Sequence, residues 1–448
     1  MRIIFLLSIL LTCCMNKDKS NYVEPPIAKK YPEKLSIHGD ERLDNYYWMR
    51  LTDKQKEAKD PDQQTKDVLN YLNAENQYLK SKMKHTESLQ EKLFNEIKNR
   101  IKKDDSSVPI TINNYSYYTR FEKDKEYPFH CRKKIKDQSQ EEIMLDVSKM
   151  AVNFDYFSVV GLSVSPDEKL LIYGVDTVSR REYTLYIKNL NTGEILIDKI
   201  SNTTGRGVWA NDNKTFFYTK QDPITLRSFQ IYKHILGTPQ SQDVLVYEEK
   251  DDTFNCYVSK SKSKKYIIIG SYQTLSSEYR YIDANKPNQD FKIVQKREKD
   301  LEYNLYHYED HFYILTNYKA KNFRLMKTLI SQPSKEYWTE VIPHNKNILI
   351  EGLDIFKNYL VVEERKNGLT NIRIINWENN KSYYIKFNDP AYTVSTMANP
   401  EYNTNILRYG YTSLTTPSST FDYNMDTKEK SLLKQDEVLG NNFSIDNF

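Results

Sequence analysis

The sequence predicts an all-β repeat architecture, a seven-bladed β-propeller preceded by an N-terminal helical arm, and three observations predict it. Seven strand-like segments recur at a spacing of roughly 50 residues, the period of propeller blades. They are Tyr115 to Glu122, Lys169 to Asp176, Lys214 to Gln221, Lys265 to Tyr272, His311 to Tyr318, Asn358 to Arg365 and Asn405 to Thr412. Each is followed by a second strand pair around a polar hairpin, as in Glu182 to Leu190, Asn191-Thr192-Gly193-Glu194, Ile195 to Ile200. Tyrosine is abundant, at 36 residues, and glycine scarce, at 12. Tyrosine suits half-buried strands, where the ring packs and the hydroxyl reaches water or a partner.

A chain of 448 residues is too long for one ordinary core unless it is a barrel, a repeat or a propeller. Strand, turn, strand, polar hairpin, strand is one four-stranded blade, and seven such units fill residues 105–437. A doubly wound α/β fold needs helices between the strands, and none is patterned there. A β-sandwich does not explain so long a regular period.

Ahead of the repeat, residues 15–104 form the arm. Pro25, Pro26, Pro32 and Pro61 make 23–60 extended and loop-rich. Two helical patterns follow, one through Val68, Leu69, Leu72, Leu79 and Met83, the other through Leu89, Leu93, Ile97 and Ile101. Ser88 with Glu91 fits a capping box for the second helix. Such amphipathic helices must lean on another surface.

Met1-Arg2 and the apolar run Ile3 to Leu11 read as a signal-peptide core, too short to span a bilayer. The run ends at Cys13-Cys14 before Asn16-Lys17-Asp18-Lys19, which resembles a bacterial lipoprotein signal over residues 1–14. Cys14, or else Cys13, is the expected acylation site, placing the protein at the bacterial cell envelope on its periplasmic face, with membrane contact only through the lipid. A plain secretory signal is the alternative.

The net charge of +4, against 65 basic and 61 acidic residues, argues against a nucleic-acid partner. The basic run Lys260 to Lys265 reads as a solvated turn. Cys131 and Cys256 read as buried thiols, with a disulfide between them left open. His307 and His311 are four apart but lie in a turn leading into a strand, so neither a metal nor another cofactor is expected there. His38, His85, His130, His234 and His344 stand alone.

Several stretches carry a family resemblance. His38-Gly39-Asp40 and Asp44-Asn45-Tyr46-Tyr47-Trp48-Met49-Arg50 are similar to the N-terminal signature of the prolyl oligopeptidase family of serine peptidases, and Tyr71-Leu72-Asn73-Ala74-Glu75-Asn76 to the helix that follows it. Glu96 to Pro109, Val164 to Asp167, Gly174 to Tyr186, Tyr247 to Tyr266, Ala320 to Met326, Tyr359 to Leu369 and Tyr411 to Ser419 resemble the oligopeptidase B branch. The resemblance implies a two-domain peptidase that cleaves short peptides after Lys or Arg. Its propeller would gate access to an α/β-hydrolase domain carrying a Ser-Asp-His triad.

No G-x-S-x-G nucleophile elbow occurs in the sequence; Gly161-Leu162-Ser163-Val164-Ser165 lacks the second glycine. No catalytic residue is therefore assigned. Residues 438–448 are read as the start of a linker to a hydrolase domain absent from this chain. Two functions remain open: the propeller part of a peptidase, with short peptides and a separate hydrolase domain as partners, or a stand-alone, non-catalytic, peptide- or protein-binding lipoprotein.

Overall fold

The computed structural model describes residues 23–136 and 140–439. The chain divides into two compact units, Met1–Ile101 and Lys102–Phe448.

In the first unit, the extended, loop-rich stretch expected over 23–60 contains a hairpin, Glu33–Ile37 paired with Asp40–Asp44. Its two-residue turn, His38-Gly39, has φ of 52° and 84°. That left-handed pair matches the strand twist, and glycine adopts it without a Cβ penalty. Trp48 pins the loop that follows, donating from Nε1 to the Lys29 carbonyl at 2.9 Å and meeting the Tyr31 ring edge-on.

The helix Gln63–Met83 is capped by Asp62, whose carboxylate accepts from the Thr65 amide at 2.8 Å. A single 3-10 turn, Lys84–Thr86, joins it to Glu87–Asn99. The Ser88–Glu91 capping box is not formed, because Thr86 before the helix is itself helical (φ −99°, ψ −4°) and the chain never turns extended. Ser88 thus lies inside the first turn, where no cap is needed. Leu72, Leu79, Leu89, Leu93, Phe94 and Ile97 are exposed.

The second unit is an all-β propeller. Its strands form antiparallel meanders: five four-stranded sheets and one of seven strands. Seven independent four-stranded blades were expected, so five rather than seven stand alone. The departure lies in Ile195–Trp209, one continuous strand. Its first half pairs with Tyr183–Asn189 and its second with Thr215–Gln221, which joins what would be two sheets. Between the halves the chain crosses Ser158–Val164 and Leu170–Asp176 of the same sheet, with left-handed residues at Asn202 and Gly205. Gly205 packs directly on Gly161 and Gly174, where an added Cβ would meet its backbone at 2.0 and 2.5 Å. Three of the few glycines are spent on this crossing.

The core sits between successive sheets, in six apolar clusters. The strands Leu170–Asp176, Thr215–Gln221, Tyr266–Gln273, His311–Thr316 and Tyr359–Lys366 each serve two of them. Ile267 and Ile269 face the cluster with Phe217 and Cys256, while Ile268 faces the one with Tyr303 and Phe312. A strand buried on both faces reads as an apolar run, which is why these segments stood out. Burying each such side chain contributes about 1.5–3 kcal/mol. Cys131 and Cys256 are buried free thiols in separate sheets. Between the first and last sheets the contacts are polar: Lys434 to Asp105 at 2.5 Å, the Asn113 amide to Glu401 at 2.8 Å, and Arg408 to the Pro109 carbonyl at 2.5 Å.

Candidate functional site

The first strands of successive meanders, with the second half of Ile195–Trp209, line two cavities that share Lys260, and the space they enclose is the propeller's channel. Every meander starts inside, so the inner strands run in one direction and the turns after them gather at one mouth. Five of these turns share a left-handed residue at the same place: Asn113, Glu168, Asn213, Lys264 and Glu309. Their polar residues close them locally. Ser165 donates to Asp167 at 2.6 Å, and Asp212 accepts from the Thr215 amide at 2.8 Å.

The channel opens into two cavities. The larger, about 830 Å³, is lined by Ile110, Val164, Val208, His130, Glu168 and Lys260 among others. The smaller, about 300 Å³, includes Tyr257, Lys262, Tyr306 and Asp354. Mostly apolar walls with a few placed polar groups are the usual form of a small-molecule or peptide pocket.

The basic run read as a solvated turn lies at this mouth, and the reading is corrected for two of its members. Lys260 is half-buried and donates to the Trp209 carbonyl at 2.9 Å. Burial pulls its ammonium down to about 8. Lys262 pairs with Asp354 at 2.5 Å and lies over the Phe356 ring. Burial lowers Lys262 and raises Asp354, and the pair offsets part of each cost. Lys260 ends the strand Asn255–Lys260 and Lys262 lies in the turn after it, and both are held by partners that a charge count does not reveal.

His307 and His311 are not brought together as ligands. They face each other's strand across the hairpin Tyr303–Tyr308 and His311–Thr316, where His307 pairs with Phe312 and His311 with Tyr308. The buried His307 binds the Ser263 hydroxyl at 2.7 Å and the Glu309 carbonyl at 2.8 Å. Burial pushes it down to about 4, so near neutral pH it is an uncharged hydrogen-bonding group that ties two turns together. Among the described residues no three His, Cys, Asp or Glu side chains converge as metal ligands, and no helix is long and apolar enough to cross a membrane. Cys13 and Cys14 lie outside the described residues.

Two histidines that stood alone in the sequence acquire settings in the fold. His130 lines the large cavity, and burial lowers it. His234 is fully buried between Asp243, 2.6 Å from Nδ1, and Asp198, 2.9 Å from Nε2. Burial opposes its charge, but the two carboxylates together outweigh it and raise the imidazole above its ordinary value. Tyr218 donates to Asp243 and the Gly237 amide to Asp198. No spacing rule joins Asp198, His234 and Asp243: Asp198 lies in the half of its strand paired with Tyr183–Asn189 and His234 lies opposite Phe216, and the packing of these two halves of the sheet on each other brings them together.

Residues 25–436 match the family model described as prolyl oligopeptidase, N-terminal beta-propeller domain. The chain belongs to the prolyl oligopeptidase family. Within this family it is 39% identical over 93% of its length to "Dipeptidyl aminopeptidase BI" of Pseudoxanthomonas mexicana. It is 33% identical, again over 93%, to "Protease 2" of Moraxella lacunata. Among solved structures, oligopeptidase B from Leishmania major superposes with a TM-score of 0.85 at 30% identity over 95% of this chain. Oligopeptidase B from Trypanosoma brucei, with covalently bound antipain, gives 0.84 at 28%. The chain spans 58% and 59% of the length of the two curated relatives and 62% of each of these solved chains.

Proposed function

We propose that this chain is the access-controlling propeller of an oligopeptidase B-like serine endopeptidase that cleaves short peptides after Lys or Arg. It would act on a hydrolase domain that supplies the triad. The seven-stranded sheet then counts as two blades sharing Ile195–Trp209, which makes the ring seven-bladed.

The observation that carries the reading is an apolar end on the propeller. The turns between second and third strands lie opposite the channel mouth described above. There the unit's first and last segments also meet, Lys102 reaching Glu437 at 2.6 Å. Five of those turns expose a large apolar side chain: Phe121, Val178, Ile224, Leu275 and Leu414. Ile224 and Leu414 are 81% and 95% exposed, in turns that need no apolar residue for their own geometry. Single exposed apolar residues are ordinary, but five on one end form a docking face. A hydrolase domain set there would meet peptides delivered through the channel.

The test is to mix the chain with a separately produced oligopeptidase B hydrolase domain and follow association by sedimentation. The chain alone should leave a Lys or Arg peptide substrate uncleaved. The pair should associate, and Ile224→Asp with Leu414→Asp should weaken the complex by tenfold or more, on the order expected for losing two buried anchors. Absence of association, or association indifferent to both substitutions, overturns the docking face and favours a stand-alone binding propeller.

A further inference from the structure

The large cavity holds two basic side chains without an acidic partner. Lys260 has three ammonium donors and spends one on the Trp209 carbonyl. No carboxylate lies within ion-pair distance of it among the described residues, whereas Lys262 has Asp354 and Lys264 has Glu401. His130 lines the same cavity, and its ring has no hydrogen-bond partner among the described residues.

Glu168, the carboxylate on this wall, is occupied. It accepts from the Asn114 amide at 2.9 Å and from Asn114 Nδ2 at 3.0 Å. The remaining walls are largely apolar, with Val164, Val208 and Met144 among them. A half-buried ammonium with spare donors in such a setting gains most from an anion, because little water competes and a charged hydrogen bond is stronger than a neutral one.

We propose that Lys260 and His130 form an anion subsite in the propeller channel that takes the carboxylate of a short peptide. The proposal rests on reading the channel as a peptide passage. A bare inorganic anion would leave the apolar walls uncovered, whereas a peptide carboxylate brings side chains and backbone to fill them. The ammonium binds the carboxylate oxygens, and the imidazole adds an N–H donor.

The test is calorimetric titration of the full chain with N-acetyl-trialanine and with its C-terminal amide, which differ only in the charge. The free acid should bind about tenfold more tightly, the worth of one charged hydrogen bond. Lys260→Met should erase that preference, while Lys260→Arg keeps it. Circular dichroism and gel filtration establish that each variant is folded, and His130→Gln provides a second variant that should narrow the preference.

Equal binding of acid and amide overturns the subsite but leaves the peptide passage standing. Absence of binding by either overturns both. A preference for the acid that survives Lys260→Met places the anion elsewhere and overturns the assignment. Displacement of the acid by inorganic phosphate at equal concentration shows a site for small anions and overturns the peptide class.

Discussion

Replacing Gly174 by alanine tests whether the crossing of Ile195–Trp209 over the first strands of its sheet depends on close backbone approach. Gly174 lies in the strand Leu170–Asp176, paired on both sides, with Val160 and Leu185 as its partners. A Cβ there would sit 2.5 Å from Gly205 Cα and 2.6 Å from its carbonyl oxygen. Carbon contacts are most favourable near 3.5–4.0 Å, so the crossing would have to lift by about 1 Å. The obstructing atoms are backbone, and Gly205 is itself wedged against Val160 and Tyr183. Overpacking of this kind costs about 1–3 kcal/mol and occasionally more, and this site belongs at the upper end. Gly193→Ala is the matched control. That residue has φ of 78° but nothing within 4 Å of an added Cβ. Its substitution therefore costs only the left-handed conformation, roughly 1–2 kcal/mol. Urea unfolding followed by tryptophan fluorescence should give Gly174→Ala the larger loss. A loss equal to or smaller than that of Gly193→Ala would refute the argument from close packing.

Two further predictions follow from single groups. His234 has its pKa raised in the fold, so its stabilisation is complete below the ordinary histidine value and is lost as pH rises through the folded one. Urea midpoints should therefore fall as pH rises above about 6.5, and His234→Leu should flatten that slope while costing about 3–5 kcal/mol at low pH, because it strands two buried carboxylates; an unchanged slope counts against the ion pairs. Replacing both Cys13 and Cys14 by serine should release the protein from the membrane fraction of a bacterial host, and retention of the double variant refutes acylation at either position.

The propeller was legible because its strongest signal is local. The second strands, such as Tyr266–Gln273 and Tyr359–Lys366, are buried on both faces and read as apolar runs. The shared strand Ile195–Trp209 was not, because one continuous strand and two strands joined by a bend have the same alternation. The hairpin Glu33–Ile37 with Asp40–Asp44 was missed for a related reason. Its strands are largely exposed, so no apolar pattern marks them, and only His38-Gly39 carried a turn signal.

Taken alone, the sequence determined the all-β repeat, the two arm helices and the family, since apolar period and quoted motifs are properties of neighbouring residues. Tertiary structure alone decided the site. Lys260 belongs to a run that looks like any solvated turn, and His130 and Glu168 come from other sheets. Asp198, His234 and Asp243 likewise converge only through packing of strands distant in sequence. Hydrophobic burial writes itself into the chain as a period, whereas the partner of a buried charge is chosen by which strands the ring brings side by side.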